Sequence, residues 1–221
     1  MKKKLLFTLI LLILLFGCGE KVTNNVQKQE DNTVVTVSKV NDLEDYIYFE
    51  NYKKIMLDGL NNYILDIPII NLDSDNIKTV NLEIKSFVIS CYNEYVINND
   101  KLVRGKYITY EYYINDKYIT LMIKYNMYNN GILDNDNYII YNIDKNNGVL
   151  LDNKDLLKLF VIDENELPYL VRNNIESEDI EYTVTCMKEN YYLYIDKDNK
   201  LHLLFFENTD DEQIKRDLII S

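Results

Sequence analysis

An α+β fold built mostly from antiparallel sheets is the expectation for this 221-residue chain, and three observations carry it. Short runs dense in Tyr, Ile, Val and Thr recur along the chain; the gaps between most of them are too short for helical crossovers; and the apolar period changes from two to three-and-four in a few places. The packing expected is one long helix and two shorter ones against the sheets.

Residues Tyr46 to Met56 and Tyr63 to Ile70, separated by Asp58-Gly59, read as a first strand pair, with Pro68 marking an edge. Behind Asp75, read as the N-cap, the spacing of Ile77, Val80, Ile84, Phe87, Val88, Cys91 and Tyr95 draws one apolar stripe on a helix. Lys106 to Ile114 and Tyr118 to Tyr128 flank Asn115-Asp116-Lys117 as a hairpin, and Tyr138 to Ile143 adds a third strand before the turn at Asn147-Gly148. Asp152 is placed to cap a short helix carrying Leu156, Leu157, Leu159 and Phe160. Asp163 or Glu164 opens another through Leu167, Leu170, Val171 and Ile175, which accommodates Pro168 only in its first turn. Ile180 to Met187, Tyr191 to Ile195 and Leu201 to Phe206 read as closing strands, and the pairs Asn129-Asn130, Asn146-Asn147 and Asn173-Asn174 as turns.

The N-terminal end carries an address. Lys2, Lys3 and Lys4 precede an apolar run from Leu5 to Phe16, too short for the roughly 20 residues a bilayer span needs but the right length for a signal-peptide core. The run ends Leu15-Phe16-Gly17-Cys18, which resembles the lipobox of bacterial lipoproteins, with Phe16 bulkier than the residue usually found at its position. The resemblance implies that residues 1–17 are removed and that Cys18 receives lipid. Two or three acyl chains at about 0.8 kcal/mol per buried CH₂ make such an anchor effectively permanent. The polar segment completing residues 18–32 reads as a tether reaching on the order of 20 Å, and residues 33–221 as one domain.

The chain has 24 Lys and Arg against 36 Asp and Glu; without the three leader lysines this becomes 21 against 36, a formal −15. Such a surface repels phosphate backbones and attracts cationic partners, and it equally serves to keep a tethered protein soluble. One histidine, no tryptophan and six serines leave few routes to a triad or a histidine metal site, and nothing requires a cofactor.

Several candidates stay open on residues alone. Cys91 and Cys186 either form a disulfide, as an exported protein permits, or lie buried as free thiols. Asp134-Asn135-Asp136 and Asp196-Lys197-Asp198 are acidic loops without the spacing of a calcium-binding loop, and read as turns. Tyr107, Tyr110, Tyr112, Tyr113 and Tyr118 could stack on sugars, but strand alternation forbids one shared surface. His202 reads as structural, and Glu164 and Glu166 as two carboxylates among many, a weak basis for acid–base chemistry.

The order Ile67-Pro68-Ile69-Ile70, then Val80-Asn81-Leu82-Glu83-Ile84, the strand pair across Tyr107 to Ile123, Tyr141-Asn142-Ile143-Asp144 with Gly148, the Leu-rich helix at Leu156 to Phe160 and the hairpin holding Leu201 to Phe206 resembles the envelope domain of RsiV-type anti-sigma factors and of a peptidoglycan deacetylase's N-terminal module. The likeness covers residues 46 to 221. Where many members carry Gly-Gly-Ala-His, this chain has Tyr128-Asn129-Asn130-Gly131-Ile132. The resemblance implies a non-catalytic extracytoplasmic domain binding an envelope or host protein such as lysozyme, itself strongly basic. A glycan-binding lipoprotein and a cell-wall hydrolase working through carboxylates are the alternatives.

Overall fold

The computed structural model describes residues 36–38, 46–55, 63–94, 96–98, 101–209 and 212–221. The leader, Cys18, the tether, the Asp58-Gly59 turn and Tyr95 lie outside the described residues. The fold is α+β, and every strand pairing is antiparallel.

Three sheets form. In the first, β1 (Thr36–Ser38), β2 (Ile47–Ile55) and β3 (Tyr63–Ile70) lie in that order, so β3 is an edge strand and tolerates Pro68. The second and largest runs β4 (Val96–Asn98), β5 (Lys101–Ile114), β6 (Tyr118–Asn129), β8 (Asn137–Asp144), β9 (Leu150–Leu151), with the short β7 (Ile132–Leu133) beside β6. The third is β10 (Tyr191–Ile195), β11 (Leu201–Asn208), β12 (Gln213–Ile219).

Strand alternation gives the second sheet two buried faces. Ile119, Leu121 and Ile123 of β6 face helix α1 (Asp75–Asn93), which buries Ile77, Val80, Ile84, Val88 and Cys91 against them. Met122, between these in sequence, turns to the opposite face, where it meets Tyr138, Tyr194 and Leu204. The third sheet repeats the device: Leu193, Ile195, Leu201, Leu203 and Phe205 carry the helical layer. The order of layers is therefore helix, sheet, sheet, helices. Asn81 of α1 ties in the first sheet by exchanging two 2.9 Å hydrogen bonds with the backbone N–H and C=O of Ile70.

Four α-helices are described, not the expected three: α1, α2 (Asn153–Leu159), α3 (Leu167–Asn174) and α4 (Ile180–Glu189). The stretch Ile180 to Met187, read as a strand, is helical. Its β-branched residues favour a strand, but Asp179 caps Tyr182 N–H at 3.0 Å, and Thr183, Val184, Cys186 and Met187 are buried together at helical spacing. Tertiary burial outweighs a propensity difference of a few tenths of a kcal/mol per residue.

Asp75 is not the N-cap of α1. Ser74 holds that place, without a side-chain cap, and Asp75 accepts the Lys78 ammonium at 3.0 Å instead. Asp152 does cap α2, in a reciprocal box with Asp155. Asp163 caps a 3-10 turn at Glu164–Glu166 that leads into α3, where Pro168 falls in the first turn. Asn130 with Gly131, and Asn146-Asn147, make turns, whereas Asn129 ends β6 and Asn173-Asn174 closes α3. Strand β12 escaped the sequence reading because its residues are mostly polar; it nonetheless pairs with β11 along its whole length.

Candidate functional site

The seam between the second and third sheets is built from amides. Strand β10 is an edge strand, so its outer N–H and C=O groups need partners from elsewhere. Asn142, 4% exposed, gives its Nδ2 to Leu193 O at 2.9 Å, and its Oδ1 accepts from Thr120 Oγ1 at 2.9 Å and Ile195 N at 3.4 Å. Thr120 Oγ1 lies 2.8 Å from Ile195 O, Asn153 brackets Tyr191 O and Leu193 N, and Asn115 donates to Asp196 O at 3.0 Å. Four side chains from other elements thus replace a missing strand. The signal was a polar residue inside an apolar strand, Thr120 in Tyr118-Ile-Thr-Leu-Met and Asn142 in Ile139-Ile-Tyr-Asn-Ile.

Two clefts open along this seam with Tyr192 between them. One, about 410 Å³, is lined by Ile140, Asn142, Leu151, the start of α2, Tyr192 and Leu193. The other, about 320 Å³, lies between the Asn135–Asn137 loop, α4 and the third sheet, and its wall includes Tyr182, Cys186, Glu189, Tyr192, Phe206 and Gln213. Asp136 there is engaged by Lys124 at 2.5 Å and by the Asn126 amide. Glu189 has no ion pair among the described residues. The Tyr182 hydroxyl donates to Asn208 O, and the neighbouring Cys186 thiol and the Glu189 and Glu207 carboxylates push its phenol up.

A second polar cluster surrounds the sole histidine. His202 stacks on Tyr194 with ring centroids 4.5 Å apart; Nδ1 lies 2.9 Å from Asp217 Oδ1 and Nε2 3.1 Å from Asp196 Oδ2. A carboxylate only accepts, so both contacts form together only when both ring nitrogens carry protons. Burial lowers the His202 pKa, but the bonds to Asp217 and Asp196 outweigh it and leave it raised. Burial likewise acts upward on both aspartates. Bonds from His202 and Tyr194 hold Asp217 below the usual carboxylate range, and the Lys200 N–H, His202 and the Asp198 N–H do so for Asp196. The cluster holds the β10–β11 turn to β12, a structural role.

The other candidates separate. Cys91 and Cys186 are both buried and free, Cys91 in the α1 core and Cys186 on α4, so the disulfide is ruled out. Burial pushes the Cys91 thiol up. Tyr110 packs toward α1, Tyr113 stacks on Tyr194 at 5.6 Å, Tyr118 enters the helical-layer core, and Tyr107 and Tyr112 are exposed, which breaks up any shared platform. Asp196 Oδ1 accepts Asp198 N and Lys200 N, an Asx turn. Glu164 accepts the Tyr191 hydroxyl at 2.6 Å, and Glu166 is exposed on the same turn. Among the described residues no three His, Cys, Asp or Glu side chains converge as a metal site, and no helix is long and apolar enough to cross a membrane.

No protein-family model matches the chain, and no curated protein sequence matches it significantly.

Proposed function

We propose that this protein is an extracytoplasmic lipoprotein, anchored to a membrane by lipid on Cys18, whose folded part is a non-catalytic binding domain for a cationic protein of the envelope or of a host, lysozyme-like in charge. The observation that carries this reading is the acidic ridge formed by α4 and its approach. Glu176, Glu178, Asp179, Glu181 and Glu189 are all exposed there; among the described residues Arg172 is ion-paired with Glu181 at 2.8 Å, and Lys188 lies on α4 itself. A field of this sign speeds encounter with a basic partner and weakens with salt, since the screening length is about 10 Å at 0.1 M and about 3 Å at 1 M.

The test is titration of the full-length protein in detergent against lysozyme and other basic proteins at 20 and 300 mM salt. Saturable binding that weakens at least tenfold at the higher salt is expected; absence of binding at low salt refutes the reading. A second reading, glycan binding, draws support from the 320 Å³ cleft, where Tyr182, Tyr192 and Phe206 meet several amides. Sedimentation with purified cell wall that persists at high salt distinguishes it.

A further inference from the structure

We propose that the outer edge of β8 accepts an extended, basic segment of a partner polypeptide as an added strand. In an antiparallel sheet, alternate residues aim both backbone groups at the same neighbour. Asp144 N donates to Val149 O on the β9 side at 2.9 Å, and Lys145 N to Lys117 O on the β6 side at 2.8 Å. Asn142, Ile140 and Tyr138 therefore aim outward with Asp144. Strand β9 ends at Leu151, opposite Asn142. Among the described residues nothing bonds to the outward N–H and C=O groups of Ile140 and Tyr138. Tyr138 is 5% exposed and Ile140 half-buried, and backbone groups without partners are costly where burial removes water.

The occupant follows from shape and charge. A segment continuing the line of β9 would pair with Ile140 and Tyr138, and side chains two apart on one face, about 6.5–7 Å, would enter the two clefts on either side of Tyr192. The cleft at the Asn137 end holds Glu189 without an ion pair and Asp136 already paired with Lys124. A Lys or Arg side chain suits it, and an acidic one does not. The inference rests on the binding role proposed above and assigns it a surface.

The probe is a capped seven-residue peptide of alternating valine and lysine, added to the full-length protein in detergent and followed by amide exchange and chemical shifts in NMR spectra. The amides of Tyr138 and Ile140 should exchange fast in the free protein and at least tenfold more slowly with peptide, while those of Ile139 and Tyr141, directed at β6, stay protected throughout. N-methylation along the peptide should weaken binding at every second position, and Glu189→Gln should weaken it about threefold at low salt. Ile140→Pro removes an outward donor without touching a β6 rung and should lower affinity at least tenfold. The peptide scan needs no protein variant, so it decides the matter even if that one misfolds. Three results overturn the proposal: N-methylation without a two-residue period, no change at Tyr138 and Ile140, or protection of both in the free protein, which means the chain itself covers the edge. Lysozyme binding that survives Ile140→Pro removes this surface and leaves the binding role standing, whereas peptide binding without affinity for any basic protein does the reverse.

Discussion

Replacing His202 by Phe isolates the energetics of the charged cluster, because it keeps a flat ring against Tyr194 and removes both ring nitrogens. Two bonds to carboxylates are lost, at 2.9 and 3.1 Å, from a side chain that is 14% exposed. Hydrogen bonds involving a charged group contribute roughly 1.5–3 kcal/mol each, but the imidazolium no longer has to be desolvated, and both aspartates keep other donors. Asp217 retains the Tyr194 hydroxyl at 2.8 Å, and Asp196 retains two backbone N–H groups. The net loss expected at pH 6 is therefore about 2–3 kcal/mol, or roughly 5–10 °C in Tm for a domain of this size. The sign with pH follows from linkage. The folded-state pKa of His202 is raised above 6.5, so its stabilisation is full below 6.5 and fades as pH rises through the folded value. The two aspartates have folded pKa values below 3.8, so their share is present above 3.8 and is lost as pH falls through those values. Urea unfolding of wild type and His202→Phe at pH 6 and pH 9 should show the gap narrowing at the higher pH. A gap that is equal at both, or an NMR titration placing the His202 pKa at or below the ordinary histidine value, refutes the reasoning.

Three further outcomes are expected. Gly148 has φ +66°, and a Cβ built there falls 2.6 Å from the Cβ of Ser74 at the start of α1, so Gly148→Ala should destabilise by about 2–4 kcal/mol in chemical denaturation, far more than Gly131→Ala, where nothing lies within 4 Å. Asn142→Leu leaves Leu193 O and Ile195 N without their bonds and should lose about 3 kcal/mol, with faster exchange of the Ile195 amide. Cys18→Ala should move the protein from the membrane fraction to the soluble fraction of its native host and eliminate acyl adducts from its intact mass.

The local elements were legible where a single residue or period decides them. The stripe from Ile77 to Cys91 could only be a buried helix face, and Asp152 capped the helix it was expected to cap. Ile180 to Met187 reads equally as either element, because Tyr182, Val184 and Cys186 satisfy a strand's alternation while Thr183, Val184, Cys186 and Met187 satisfy a helix's face. Only the apolar surface the segment lands on chooses between two such patterns. Strand β12 was invisible for a related reason: its polar residues have no periodic hydrophobicity, and pairing with β11 supplies its order.

The chain alone determined the class of fold, the caps at Asp152 and Asp163 and the sign of the net charge, since these depend on neighbours a few residues away or on a sum over side chains. It could not determine that Asn115, Thr120, Asn142 and Asn153 stand in for a missing strand beside β10, that His202 lies between two aspartates, or that two rungs of β8 find no partner among the described residues. Those depend on groups brought together from up to 81 positions apart. Hydrogen bonds are short-ranged and directional, so such partnerships exist only once the layers have stacked.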